Sequence, residues 1–387
     1  PQLQIYTHHG AQRQWPLRWQ QYDIILTTYG TLRSDLSTIK NIEFDYVILD
    51  ESQAIKNPLS QISKAVRVLH AKNRLVMTGT PIENNTFDLY AQMEFLNPGL
   101  LGSSDFFRNE FATPIDKYAI EEKAEALRKL IAPFVLKRTK EEVASDLPPK
   151  IETVLFCEMG AEQRSVYNSV KEKYRNQILQ KIDAEGVTKS GFLILEGLLK
   201  LRMICDATTL VSDDTREKTH SAKLDELMRE LSENAGHHKI VVFSQFLKML
   251  DLIKQQLIAA HIPFEYLDGQ TTDRKERIDN FRQNNDVRVF LMSLKAGGVG
   301  INLTEADYVY LVDPWWNPAV EQQAIDRTHR IGQKHNVFAY KMICKDSIEE
   351  KIMQLQERKK VLAGNLIDTE KNLLKKLLAV RACSKTV

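Results

Sequence analysis

The period of the apolar positions changes along the chain, and the changes divide it. Over residues 1–80, short apolar runs alternate with polar loops: "LQIYTH", "YDIILTTYG", "FDYVILDES" and "RLVMTGTP". Short β-branched-rich runs bounded by turn residues read as strands, and a helical stretch over Gln61–His70 fits between two of them. This is the βαβ rhythm of a parallel sheet with covering helices. From 82 to 137, "TFDLYAQMEFLNP" and "EEKAEALRKLIAPFVL" carry apolar residues at helical spacing. A basic connector follows, "LKRTKEEVASDLPPK", in which Pro148-Pro149 argues against a continuing helix. After the strand-like "IETVLFCEM", helical spacing returns from about 161 to 205, and Asp206 to His220 reads as an exposed loop. Near 222 the α/β rhythm resumes, with "HKIVVFSQF", "FEYLDG", "VRVFLMS" and "ADYVYLVDP" as strands. An amphipathic, charged stretch from 347 closes the chain.

The expected fold class is therefore α/β, with two parallel-sheet lobes separated by helical insertions. The boundaries are 1–81 for the first lobe, 82–137 for a helical insertion and 138–155 for the connector. A second insertion takes 156–215, the second lobe 216–346 and the closing helices 347–387.

Composition adds little to this. At 43% hydrophobic and 27% charged residues the chain reads as an ordinary soluble protein. No apolar run approaches the roughly 18 residues of a membrane span, and the opening residues lack a signal-peptide pattern. Cys157, Cys205, Cys344 and Cys383 are scattered and form no CxxC pair. The expectation is a reduced, intracellular protein without a structural metal, in cytoplasm or nucleoid if bacterial and in the nucleus if eukaryotic. With 53 basic against 51 acidic residues the net charge is only +2, so any nucleic-acid surface must be local.

Candidate chemistry sits in five places. In "FDYVILDESQAIKN" four apolar residues, Tyr46 to Leu49, run into Asp50 and Glu51. Such a run without alternation reads as a strand buried on both faces, and ligands of open α/β sheets bind at the carboxyl ends of strands. The same two acids also suit a solvated strand end followed by a helix cap at Ser52. "LVMTGTPIEN" ends a strand in Thr78-Gly79-Thr80-Pro81, which suits a phosphate or a plain turn. Gly297, Gly298 and Gly300 permit close approach of backbone to a phosphate, or form a tight turn. Trp315-Trp316 before Asn317-Pro318 suits either a core or a ring contact with nucleic acid. In "EQQAIDRTHRIGQ", Gln323, Arg327 and Arg330 follow at spacings of four and three, which places them on one face of a helix. Arginine there can serve phosphoryl transfer or an exposed ion-paired helix.

Taken together, these residues resemble the SWI/SNF-like DNA-translocating ATPases of helicase superfamily two, through essentially the whole chain. Asp50-Glu51-Ser52-Gln53 resembles the family's DExx box and "MTGTPIEN" its third motif. "VVFSQF" is similar to the fourth, "AGGVGINLTEADYVYLVDPWWNP" to the fifth with its extension, and "QAIDRTHRIGQ" to the sixth. The resemblance implies two RecA-like lobes, ATP and Mg²⁺ as cofactors, and double-stranded DNA as partner. Asp50 would hold Mg²⁺, Glu51 would orient the attacking water, and Arg327 and Arg330 would be arginine fingers from the opposite lobe. Gln323 and Gly300 would support the nucleotide. Thr28, Tyr29 and Thr78 would touch DNA from the first lobe, and Arg274, Ser293, Lys295, Trp316 and Asn317 from the second. A nucleosome, RNA polymerase or another DNA-bound protein would be the displaced target. A superfamily two RNA helicase and a non-catalytic DNA-binding module are the competing readings.

The sequence departs from the family at two points. A phosphate loop of the GxxxxGK[ST] type needs Gly followed by Lys, and none of the 16 glycines is so followed. The expectation is an incomplete first lobe: a partial motor, from a fragment or a split gene, that hydrolyses little or no ATP alone. In "RMICDATTLV", Asp206, Ala207 and Thr208 replace a Cys-Asn-His-Pro-like stretch, which puts the local packing in question.

Overall fold

The structure, a computed structural model, is described for residues 2–79, 86–138, 140–144, 146–185, 187–211, 219–297, 300–313, 315 and 317–367. The side chains of residues 141, 185, 187, 188 and 358–367 are outside that description. The chain divides into two compact units, Pro1–Lys137 with Val361–Val387, and Arg138–Lys360.

In the first unit the four expected runs form strands: β1 (Ile5–His8), β2 (Ile24–Thr27), β3 (Glu43–Leu49) and β4 (His70–Val76). β1 pairs in parallel with β2, and β3 with β4. The helix Gln61–Arg67 joins β3 to β4, with Ser60 as its cap accepting from Ser63 N. It packs Val66 on Leu49, Leu32, Ile55 and Phe95. One expectation fails here. Val47 and Leu49 turn to this core, but Tyr46 and Ile48 on the other face of β3 are 61% and 53% exposed. Leu75 and Met77 of the β4 segment are exposed as well, so the strand is covered on one face only among the described residues. The stretch after it is helical as expected, with Phe87–Leu96 and Glu121–Ile131 packed around Tyr90, Phe107 and Leu127.

The second unit is built on a six-stranded parallel sheet in the order β5-β10-β9-β6-β8-β7. Its strands are β5 (Lys150–Cys157), β6 (Ile240–Ser244), β7 (Phe264–Leu267), β8 (Val289–Ser293), β9 (Tyr308–Leu311) and β10 (Val337–Cys344). β6 and β8 are buried at every position. Ile240 and Val242 pack with Leu227, Ile253 and Leu257, while Val241 and Phe243 pack with Phe281, Leu303 and Ala324. Coverage on both faces is why these runs show no polar alternation. The connector does not stop short of the sheet: β5 pairs residue for residue with β10 and forms its edge. Two long helices, Ala161–Glu185 and Val187–Asp206, follow β5. No helix among the described residues is long and apolar enough to cross a membrane.

The departure at Asp206 has a structural reason. Lys223 Nζ, fully buried, donates to Asp206 Oδ1 (2.9 Å), Glu349 Oε1 (2.6 Å) and the Val312 carbonyl (2.7 Å). Burial favours the neutral lysine, yet the two carboxylates outweigh it and hold the ammonium above its ordinary range. Glu349 also accepts from Cys344 N (2.9 Å). Cys205, Cys344 and Glu349 bring their donor atoms within 4.8 Å of one another. Burial keeps Cys205 a thiol and Lys223 already engages Glu349, so a metal would have to displace an ammonium. Lys223→Met leaves two buried carboxyls without their cation. It is expected to destabilise the second unit by about 3–5 kcal/mol in urea unfolding. A loss below about 1 kcal/mol would show that the cluster is not ionised.

Candidate nucleotide and DNA site

The acids sit where β3 leaves the sheet. Met77 N donates to the Leu49 carbonyl (2.8 Å) and Ser52 N to the Met77 carbonyl (3.3 Å), so the end of β4 clasps the departing chain. Between these bonds Asp50 is exposed, and Glu51 takes φ +48° and ψ +53°, the left-handed region. A non-glycine residue there costs on the order of 1–2 kcal/mol and persists only when its surroundings enforce it. Three hydrogen bonds bear on it directly, and a fourth steadies one of its partners. Tyr29 OH donates to the Asp50 carbonyl (2.7 Å), and Glu51 N donates to Asp50 Oδ1 (2.9 Å). Gln53 Nε2 donates to Glu51 Oε2 (2.7 Å), and Thr78 Oγ1 donates to Gln53 Oε1 (3.3 Å). Burial, then the charges of Asp50 and Glu51, push the Tyr29 phenol up to about 12, so it remains a donor. Ser52 is not a helix cap: it is buried, and it opens a short 3₁₀ turn, Ser52–Ile55.

An exposed carboxylate at this strand end suits Mg²⁺, which takes one or two protein carboxylates and completes its shell with water and phosphate oxygens. The donor chemistry of Asp50 therefore fits the implied ion. Thr28 is the cap of the helix Tyr29–Ser34 and accepts from Thr31 N (3.2 Å). Tyr29 and Thr78, expected on DNA, lie half-buried and bonded into the acid turn.

In the second unit the helix Pro318–Ile325 ends before either arginine. Gln323 is on it; Arg327 and Arg330 are not, and the expected common face does not form. Thr328 Oγ1 donates to the Ile325 carbonyl (2.7 Å), competing for a helical acceptor, and Arg327 N bonds three residues back to Ala324 (3.2 Å). Gln333 then ties the exit, donating to the carbonyls of Ala306 (2.8 Å) and Thr328 (3.2 Å) and accepting from Lys334 N and His335 N.

The resulting turn grips the glycine loop. Buried Arg327 donates through Nε to the Gly297 carbonyl (3.1 Å), and exposed Arg330 through Nη1 to the Ile301 carbonyl (3.4 Å). Gly300 lies between them at φ +49°, a conformation that glycine adopts without a Cβ clash. Ser293, at the end of β8, accepts from Ala296 N (3.3 Å), and Lys295 beside it is exposed. Gly298 and Trp316 lie outside the described residues, as do Thr80 and Pro81. Asn317 caps the helix Pro318–Ile325, accepting from Ala319 N (3.0 Å). Arg274 is folded onto the carbonyls of Thr271, Asp268 and Gly269.

Three contributors had no role in the sequence reading. Gln53 stands in the sequence only as the last residue of the DExx-like stretch. Lys140 of the connector donates to the His329 carbonyl (2.9 Å) and pairs with Asp326 (2.8 Å), bracketing Arg327. Asp313 is buried beside β6, accepting from Ser244 Oγ and Gln245 N, and burial pushes its carboxyl up. A cleft of about 540 Å³ lined by Phe156, Gln163, His220 and Asp225 contains none of the residues of the acid turn or the arginine turn.

If the turn at Glu51 is strained, glycine relieves it. Glu51→Gly is expected to leave the first unit about 0.5–1 kcal/mol more stable than Glu51→Ala, which loses the same carboxylate but keeps the strain, with glycine's greater chain entropy offsetting part of the relief. Urea unfolding checks this, and earlier unfolding of Glu51→Gly than of Glu51→Ala would contradict it.

Residues 1–210 match the SNF2-related domain, and residues 222–332 match the helicase conserved C-terminal domain. An uncharacterised ATP-dependent helicase of Mycoplasma genitalium is 37% identical over 97% of this chain and 36% of its own length. The putative ATP-dependent helicase/translocase YwqA of Bacillus subtilis is 34% identical over 96% of this chain and 41% of its own. The chain thus spans about two fifths or less of these relatives' lengths. The solved Sulfolobus solfataricus SWI2/SNF2 ATPase core in complex with dsDNA is 38% identical, covers 94% of this chain and 77% of its own, and superposes with a TM-score of 0.48. On the strength of the domain match over residues 1–210, the chain belongs to the SNF2-related family within helicase superfamily two.

Proposed function

We propose that this chain carries the acid and arginine parts of an ATP-driven motor that moves along double-stranded DNA and displaces proteins bound to it. The acid turn carries the reading: three hydrogen bonds hold Glu51 in a costly conformation at a strand end, next to an exposed Asp50, and Thr78 steadies Gln53, one of the partners. Strain enforced in this way is characteristic of functional sites. Mg²⁺, held at Asp50, would neutralise charge on the phosphate oxygens. Glu51, steadied by Gln53, would accept a hydrogen bond from the attacking water and orient it. Arg330 and Arg327 would stabilise charge developing on the transferred phosphoryl group, with Gln323 and the loop at Gly300 supporting the nucleotide. Groups of this kind supply roughly 10³–10⁵ in rate in phosphoryl transfer.

Duplex DNA would contact Thr28, Lys295 and Trp316, largely through its phosphates, with Tyr29, Thr78, Arg274 and the buried Ser293 and Asn317 shaping those surfaces. Contacts to phosphate carry no sequence information, which suits a motor that travels on any DNA. The "helicase/translocase" name of the Bacillus subtilis relative agrees with this reading.

The polypeptide alone is expected to turn over little or no ATP, because no Gly-Lys pair is present to cradle the phosphates. The apolar face of Tyr46, Ile48, Leu75 and Met77 also lacks a cover among the described residues. DNA-stimulated turnover by this polypeptide, abolished by Glu51→Gln, would contradict that. Binding to duplexes of unrelated sequence should be equal and should weaken steeply with salt, with log Kobs falling by about 0.9 per log unit of salt for each phosphate neutralised. Preference for RNA over duplex DNA would support the RNA-helicase reading instead.

A further inference from the structure

We propose that Tyr29 is a positioning residue that transmits occupancy of the DNA contact at Thr28 to the strained turn at Glu51. The inference rests on the reading that duplex DNA binds at this segment.

The geometry lies in one peptide unit. Asp50 C=O and Glu51 N–H belong to the same planar group, so fixing both of its ends fixes the axis about which Glu51 takes its positive φ. Tyr29 OH holds the oxygen (2.7 Å), and Asp50 Oδ1 holds the N–H (2.9 Å). Of these two holds, only that of Tyr29 comes from a distant part of the chain, 21 residues away. The other hold comes from the adjacent side chain, which can rotate with the peptide.

The other end of the link is Thr28. Tyr29 is the first residue of the helix Tyr29–Ser34, and Thr28 is its cap, with Thr28 Oγ1 bonded to Thr31. The helix packs Leu32 into the core that receives Leu49, and the Tyr29 ring lies against that same core. A phosphate that draws on the exposed Thr28 therefore acts on the residue next to the phenol. The family resemblance implies Tyr29 as a DNA contact; in the structure its hydroxyl donates to the Asp50 carbonyl (2.7 Å).

Amide hydrogen exchange at Glu51 and Ser52 tests this without requiring turnover. In the wild-type chain, saturating duplex DNA is expected to slow exchange at these amides by about 3- to 10-fold, the effect of one hydrogen bond of ordinary net worth on local opening. In Tyr29→Phe, which keeps the ring and removes the hydroxyl, the slowing should vanish at matched DNA occupancy. Exchange in β6 serves as the internal control for folding. A staple without a relay would speed exchange in Tyr29→Phe equally with and without DNA, and that result overturns the proposal. DNA that binds but leaves the wild-type amides at 51 and 52 unchanged also overturns it, while sparing the motor reading. Absence of any duplex binding overturns both.

Discussion

The left-handed conformation of Glu51 is the constraint to which the first unit is built. It goes with the β3–β4 register that sets Met77 against Leu49 and Ser52, and with the hydrogen bonds that Tyr29 gives the Asp50 carbonyl and Gln53 gives the Glu51 carboxylate. The bonds between neutral groups have a net worth of about 0.5–1.5 kcal/mol each, and that to the Glu51 carboxylate about 1.5–3 kcal/mol. Together they exceed the backbone strain they restrain. The carboxylate of Glu51 thus has part of its freedom already removed by the Gln53 bond, which is the preorganisation its proposed role calls for.

The second unit solves a similar problem with arginine. Its turn from Asp326 to Gln333 is held by side-chain bonds to backbone, and Arg327 and Arg330 reach the two ends of the glycine loop. The buried arginine anchors; the exposed one is the better placed to meet an anion. Lys140 brackets the same turn from the connector, which then continues as the edge strand β5. Elsewhere in this unit, ionised groups serve packing. Lys223 with Asp206 and Glu349 has no access to solvent, so its charges stabilise the arrangement of three chain segments and contact no reactant.

The period of the apolar residues made the strands legible, because a buried parallel strand and its covering helices impose distinct spacings. β6 and β8 follow directly from their sequence. The stretch Tyr46–Leu49 has the same appearance yet is covered on one face, since an apolar run records what a residue can tolerate and not what lies over it. The arginine turn was misread for a related reason. Spacings of three and four also occur past the end of a helix, and the competing acceptor at Thr328 and the tie at Gln333 depend on partners the spacing does not show. Asp206 looked like a defect because Lys223 and Glu349 lie 17 and 143 positions away. The acids themselves were identified by position at a strand end, but the residue that holds Glu51, Gln53, emerged only from distance.

The proposed role of Glu51 in orienting water depends on its carboxylate being held, and Gln53 Nε2 donates to that carboxylate (2.7 Å). The direct measurement is the hydrolysis rate and the nucleotide affinity of Gln53→Ala, in a chain joined to a GxxxxGK[ST] segment and saturated with duplex DNA. Loss of one bond to a charged group is expected to lower kcat by about 10- to 100-fold. The Kd for nucleotide should stay unchanged, since the bond concerns the water and not the phosphates. An unchanged kcat, or a weakened Kd that accounts for all of the lost activity, would contradict the account.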